Sequence, residues 1–138
     1  MSFDTCYIVY AGQRPPISEL VNFWEQHDYE LQNPNTKKIH IINSDGDDVL
    51  VDELPVYTDD ENLLFSLWHS QDDSLLVTLT KRGDFYSEEY GFMGTSGEMY
   101  MVLMNKLNQR FMNLTRSGLL LGVFFDRRDY ILESIPNW

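Results

Sequence analysis

From Lys37 to Phe92 the chain runs through short apolar segments separated by turn-forming clusters: KKIHIIN, VLVDELPVY, LLFSLWHS, SLLVTLT and DFYSEEYGF. These segments suit strands. In the fourth, Leu75, Val77 and Leu79 share one face while Leu76, Thr78 and Thr80 share the other, the two-residue period of a pleated strand. The first two segments flank Ser44-Asp45-Gly46-Asp47, and an Asp-Gly pair between apolar runs predicts a hairpin, because both residues tolerate positive φ. Gln71-Asp72-Asp73 and Lys81-Arg82-Gly83 predict the next two turns. The middle of the protein therefore reads as an antiparallel meander.

Two helical patterns lie outside it. Pro15, Pro16 and Ser18 introduce SELVNFWEQHDYEL, where Ile17, Leu20, Val21, Trp24 and Leu31 fall on one helical face, Asp28 is the polar interruption, and Asn33, Pro34 and Asn35 end the run. Thr95 with Glu98 forms a capping box, after which Tyr100, Leu103, Met104, Leu107, Phe111 and Leu114 recur at helical spacing until Ser117 and Gly118. Phe3 to Tyr10 predicts a first strand. The run LLLGVFFD predicts a doubly buried, central strand with Gly122 at a close approach or bulge, and RRDYILESIPNW a short edge strand. With 138 residues, 43% of them hydrophobic, and no repeat or linker, the chain reads as one α+β domain over 1–138. The expected architecture is an antiparallel sheet of about five to seven strands with two helices packed on it.

Charge restricts the partners. The net charge is -12, and the stretch from Asp45 to Thr80 alone holds ten acids with no Lys or Arg. Such a field repels nucleic acid and anionic lipid and attracts basic protein surfaces. Neither direct nucleic-acid binding nor membrane binding is expected. The N-terminal sequence lacks a basic stretch and a long apolar run, and Leu119 to Phe125 is far short of the roughly 20 residues that a bilayer needs, so a cytoplasmic protein is expected. Cys6 is the single cysteine, which excludes an intramolecular disulfide, and its place in an apolar strand reads as an inert thiol.

Motifs for chemistry are sparse. Aligned as a calcium loop with Gly46 at the turn glycine, the hairpin offers Asn43 and Asp45 but puts Ile41 at the first ligand position and Asp52 where a bidentate Glu belongs. It reads as an acidic turn. The glycines of the Gly91–Gly97 stretch precede a helix and could hold phosphate, yet the P-loop Lys is missing and Glu98 opposes an anion. His40 and His69 could converge with Asp72 or Asp73 if their strands pair, which would make a small-ligand or acid–base site, but no signature of nucleophilic catalysis accompanies them. No cofactor, metal or enzymatic activity is expected.

The function that covers most of these features is inhibition of a basic protein. Toxins that cleave nucleic acid carry Lys and Arg for phosphate, so a carboxylate-rich partner gains steering and can occlude their active site, the character of immunity proteins in bacterial competition. The expected contact residues are Asp45, Asp47, Asp48, Asp52 and Glu53 on the hairpin, Asp59, Asp60 and Glu61 on the following loop, and Asp72 and Asp73, with Tyr57 or Trp68 as apolar anchor. Two alternatives use the same residues differently. A phage-type DNA mimic acting against restriction or defence proteins would need carboxylates in rows at duplex spacing, and a small-ligand domain or enzyme would need a pocket near His40, His69 and the glycine loop.

Overall fold

The structure, a computed structural model, describes residues 5–11, 16–43, 45–54, 62–70, 73–82, 85–93, 102, 105–110, 112 and 120–125. Among these residues seven strands form one sheet: β1 (Thr5–Ala11), β2 (Ile39–Ile42), β3 (Asp48–Val51), β4 (Leu63–Ser70), β5 (Asp73–Arg82), β6 (Phe85–Met93) and β7 (Leu120–Phe125). Every pairing is antiparallel, in the order β3-β2-β4-β5-β6-β1-β7. With the helix α1 (Ile17–Glu25) and a second helix that includes residues 105–110, this is the α+β arrangement the pattern predicts.

The meander is modified at one end. A simple one would place β3 between β2 and β4, whereas β2 pairs with β4 through Ile41↔Phe65 and β3 folds back to the outside. Burial gives the reason: β2 carries the buried Ile39 between two neighbours, while β3 exposes Asp48 and Leu50 and suits an edge. Strand ends also differ from expectation. Arg82 pairs with Phe85 and Ser70 with Asp73, so Lys81, Arg82 and Asp73 belong to strands, not turns.

The helices cover the face that carries Ile8, Phe65, Leu67, Leu75, Val77 and Tyr90. Leu20, Val21, Phe23 and Trp24 of α1 and Leu107 of the second helix are buried against it. α1 stops well before Leu31. The amide of Tyr29 donates to Trp24 O (3.0 Å) and that of Asp28 to Glu25 O (3.2 Å), the paired bonds of a Schellman termination, with Asp28 in the left-handed conformation at φ 66°. Asp28, which interrupts the apolar pattern, is thus the residue that ends the helix. Tyr29 then packs edge-on against Trp24 at 5.5 Å.

Among the described residues LLLGVFFD supplies an edge strand, β7, and not a central one. Val9 and Ser87, opposed across β1 and β6 on the face away from the helices, are both buried, so the sheet is covered on each side at these two strands. Gly122 opposes Val9 beside the register shift between Val9 and Tyr10, as the bulge reading expects.

The interior holds an ion pair. Arg110 of the second helix, fully buried, donates from Nη2 to Glu88 Oε2 (2.7 Å) and from Nε to Glu88 Oε1 (3.1 Å), and its Nη1 reaches Glu19 of α1. Tyr90 OH donates to Glu88 Oε1 and accepts from Trp24 Nε1. Burial alone would lower the basicity of Arg110, yet the Glu88 charge and hydrogen bonds outweigh it and hold the guanidinium above its usual range. One arginine thereby joins the sheet to both helices.

Candidate functional site

The acidic hairpin is organised by Asn43. Its backbone N–H donates to Asp47 O (3.0 Å), its carbonyl accepts from Gly46 N (3.0 Å), and its Oδ1 accepts from the amides of Asp45 (3.0 Å) and Asp47 (2.9 Å). Among the described residues of the turn Gly46 takes positive φ, at 84°, and Asp45 does not, so the Asp-Gly pair sits inside a longer turn than a two-residue one, with the glycine at the left-handed position. The side-chain oxygen that a calcium loop would use is occupied in holding this turn. Among the described residues no group of three His, Cys, Asp or Glu side chains is placed to hold a metal ion.

The turn and the pleat hold five carboxylates in solvent: Asp45, Asp47, Asp48, Asp52 and Glu53 are all exposed. The alternation of β3 places Asp48 and Leu50 on one face, with His40 of β2 opposite Leu50. Leu50 keeps 50% of its surface exposed, which makes it the apolar centre of an acidic edge. Sequence reasoning missed Leu50. Its signal was present in Asp48-Val49-Leu50-Val51-Asp52, whose odd-and-even split leaves one leucine between two aspartates.

A relay of hydrogen bonds fixes the floor of this face. Buried Asn33 accepts at Oδ1 from the amides of Asn35 (2.8 Å) and Thr36 (3.0 Å), Thr36 Oγ1 lies 2.9 Å from His40 Nε2, and His40 Nδ1 lies 3.3 Å from Asp48 Oδ2. The His40 ring also packs edge-on against Trp68 at 5.0 Å. Trp68 is half-buried, and its enclosed Nε1 has no hydrogen-bond partner among the described residues. Lys38 pairs with Asp52, and among the described residues Asp45, Asp47 and Glu53 form no ion pair. The hairpin is therefore strongly negative: Asp48 shares the face of Leu50, and Asp45, Asp47 and Glu53 are exposed beside it.

The remaining candidates are divided. Tyr57, Asp59, Asp60, Glu61 and Asp72 lie outside the described residues, as does the Thr95–Glu98 capping box. Gly91 belongs to β6, paired with Thr5 and Leu76, so the glycine stretch begins within a strand. His69 does not share the partners of His40: its Nδ1 is 3.3 Å from the Asp28 carbonyl and its ring packs on Tyr29 at 5.4 Å. Asp73, half-buried, lies near that same tyrosine. Burial first and the Asp73 charge second push the Tyr29 hydroxyl above its ordinary pKa. Neither Tyr29 OH nor Asp73 Oδ1 has a hydrogen-bond partner among the described residues. Lys106 donates to the His27 carbonyl (2.8 Å) beside them, and desolvation together with the Lys106 charge lowers the His27 pKa.

No helix among the described residues is long and apolar enough to cross a membrane. Comparison of the chain with protein-family models, with curated proteins and with solved structures finds no match.

Proposed function

We propose that this protein binds and inhibits a basic protein, in the manner of an immunity protein that occludes the active site of a toxin, with a nuclease as the first partner class to test. The observation that carries the reading is the hairpin edge: Asp45, Asp47 and Asp48 are exposed at the Asn43 turn, Asp52 and Glu53 at the other end of β3, and half-exposed Leu50 lies between them. Carboxylates placed this way steer a cationic groove during encounter, and an apolar centre excludes water once docked. Leu50 above the His40–Trp68 floor supplies that centre.

The experiment is a pull-down with the purified protein as bait at low salt, washed at rising ionic strength, with retained proteins identified by mass spectrometry. One basic protein held near stoichiometry is the expected result. Its association rate, measured with Asp47→Lys/Asp48→Lys, should then fall by about tenfold or more and lose most of its salt dependence. A weak, salt-labile mixture of basic proteins would instead assign the acids to solubility.

A further inference from the structure

The pairing of β3 determines what its outer edge offers. Because Asn43 N donates to Asp47 O, Asn43 and Asp47 form a hydrogen-bonded pair. Pairs alternate along an antiparallel ladder, so Ile41↔Val49 and Ile39↔Val51 are hydrogen-bonded, whereas Ile42↔Asp48 and His40↔Leu50 are not. The N–H and C=O groups of Asp48 and Leu50 therefore point away from β2. β3 stands at the end of the sheet, and among the described residues no strand lies beyond it.

We propose that this edge takes up an extended basic segment of the partner as an added antiparallel strand, an inference that rests on the reading of the hairpin as a partner-binding surface. The chemistry of β3 dictates the segment. Residues opposite Asp48 and Asp52 are Lys or Arg, the one opposite Leu50 is apolar, and those opposite the half-buried Val49 and Val51 are apolar on the other face. A second copy of this chain is the wrong occupant. Antiparallel pairing of two β3 edges about Leu50 would set Asp48 against Asp52 twice, and like charges directly opposite destabilise a sheet.

The test uses the full, isotope-labelled protein titrated with the capped peptide Thr-Lys-Val-Leu-Val-Arg-Thr, followed by amide shifts. A second peptide of the same charge is N-methylated at its leucine and arginine, the residues whose N–H groups would donate to Leu50 and Asp48. The expected result is saturable movement of the Asp48 and Leu50 amides with the first peptide, and affinity lower by about tenfold or more with the second. Leu50→Pro, which removes an outward N–H and spares the β2 ladder, should weaken the first peptide to a similar degree while the protein keeps its melting temperature within a few degrees. Equal binding of the two peptides would overturn strand addition and leave the acidic surface as a purely electrostatic site. Absence of binding by either peptide would also overturn it, while retention of a basic protein by the bait would still stand on its own.

Discussion

Replacing Arg110 with Met should be among the most damaging single changes to this fold. The side chain is fully buried, and its removal leaves Glu88, itself 1% exposed, with only the Tyr90 hydroxyl among the partners described. Breaking a buried ion pair from one side costs about 3–5 kcal/mol, because the remaining charge is desolvated without compensation. For a domain of this length, total stability is on the order of 7–15 kcal/mol, so about a fifth to two thirds of it would be lost. Glu88→Gln should cost less, about 1.5–3 kcal/mol, since Arg110 keeps Glu19 and Gln can still accept from Tyr90. The double variant should be more stable than Arg110→Met alone, because no unpaired charge is left inside. Urea unfolding with linear extrapolation measures all three. A cost below about 1 kcal/mol for Arg110→Met, or a double variant at the sum of the singles, would refute the argument that charge compensation dominates this site.

Alkaline pH should destabilise the protein. Tyr29 and Tyr90 both hold their protons to higher pH in the fold than in the unfolded chain, burial being the first cause, so stability is intact below about pH 10 and falls as pH rises above it. Each tyrosine should contribute a slope of about 1.4 kcal/mol per pH unit there, and Tyr29→Phe should flatten the urea midpoint against pH if this holds. Asn43→Ala removes the acceptor of two turn amides and should cost about 1–2 kcal/mol, read as a shift in the urea midpoint. Gly46→Ala meets no neighbouring atom within 4 Å, so its cost of about 1–2 kcal/mol should come from the left-handed backbone alone. Gly91→Ala, by contrast, places its Cβ in ordinary contact with Leu76 at 3.6 Å and should change stability by less than about 1 kcal/mol. Asp47→Lys/Asp48→Lys should leave the melting temperature within a few degrees, since exposed positions rarely exceed about 0.5 kcal/mol each.

What could be read in advance followed from periodicity. The two-residue alternation of Leu75 to Thr80 and the apolar face of α1 are each set by their own neighbours in sequence, so they were visible without coordinates. Strand order was not. That β2 pairs with β4 across the β3 hairpin depends on Ile41 meeting Phe65, a contact between distant positions that no local pattern encodes. The end of α1 was misjudged for a related reason, because Asp28 can sit in a helix or terminate one and the left-handed choice is sealed by Tyr29 packing on Trp24. Nothing in the segments around Arg110 and Glu88 marks either charge as interior, and only their pairing across the fold does so. At the candidate site, the acids were evident from composition, whereas Leu50 and the outward-facing amides required the register.

β1 lies between β6 and β7, paired from Thr5 to Gly91 on one side and from Cys6 to Phe125 on the other. β1 is made before both of its partners and therefore waits for strands that emerge far later, while the β2–β3 hairpin and the β4–β5–β6 ribbon can close as soon as they are made. Closing such long loops carries an entropy cost before any contact repays it. Assembly around β1 should thus be the slow step of folding, and until it occurs the nascent chain carries an apolar strand in search of an edge.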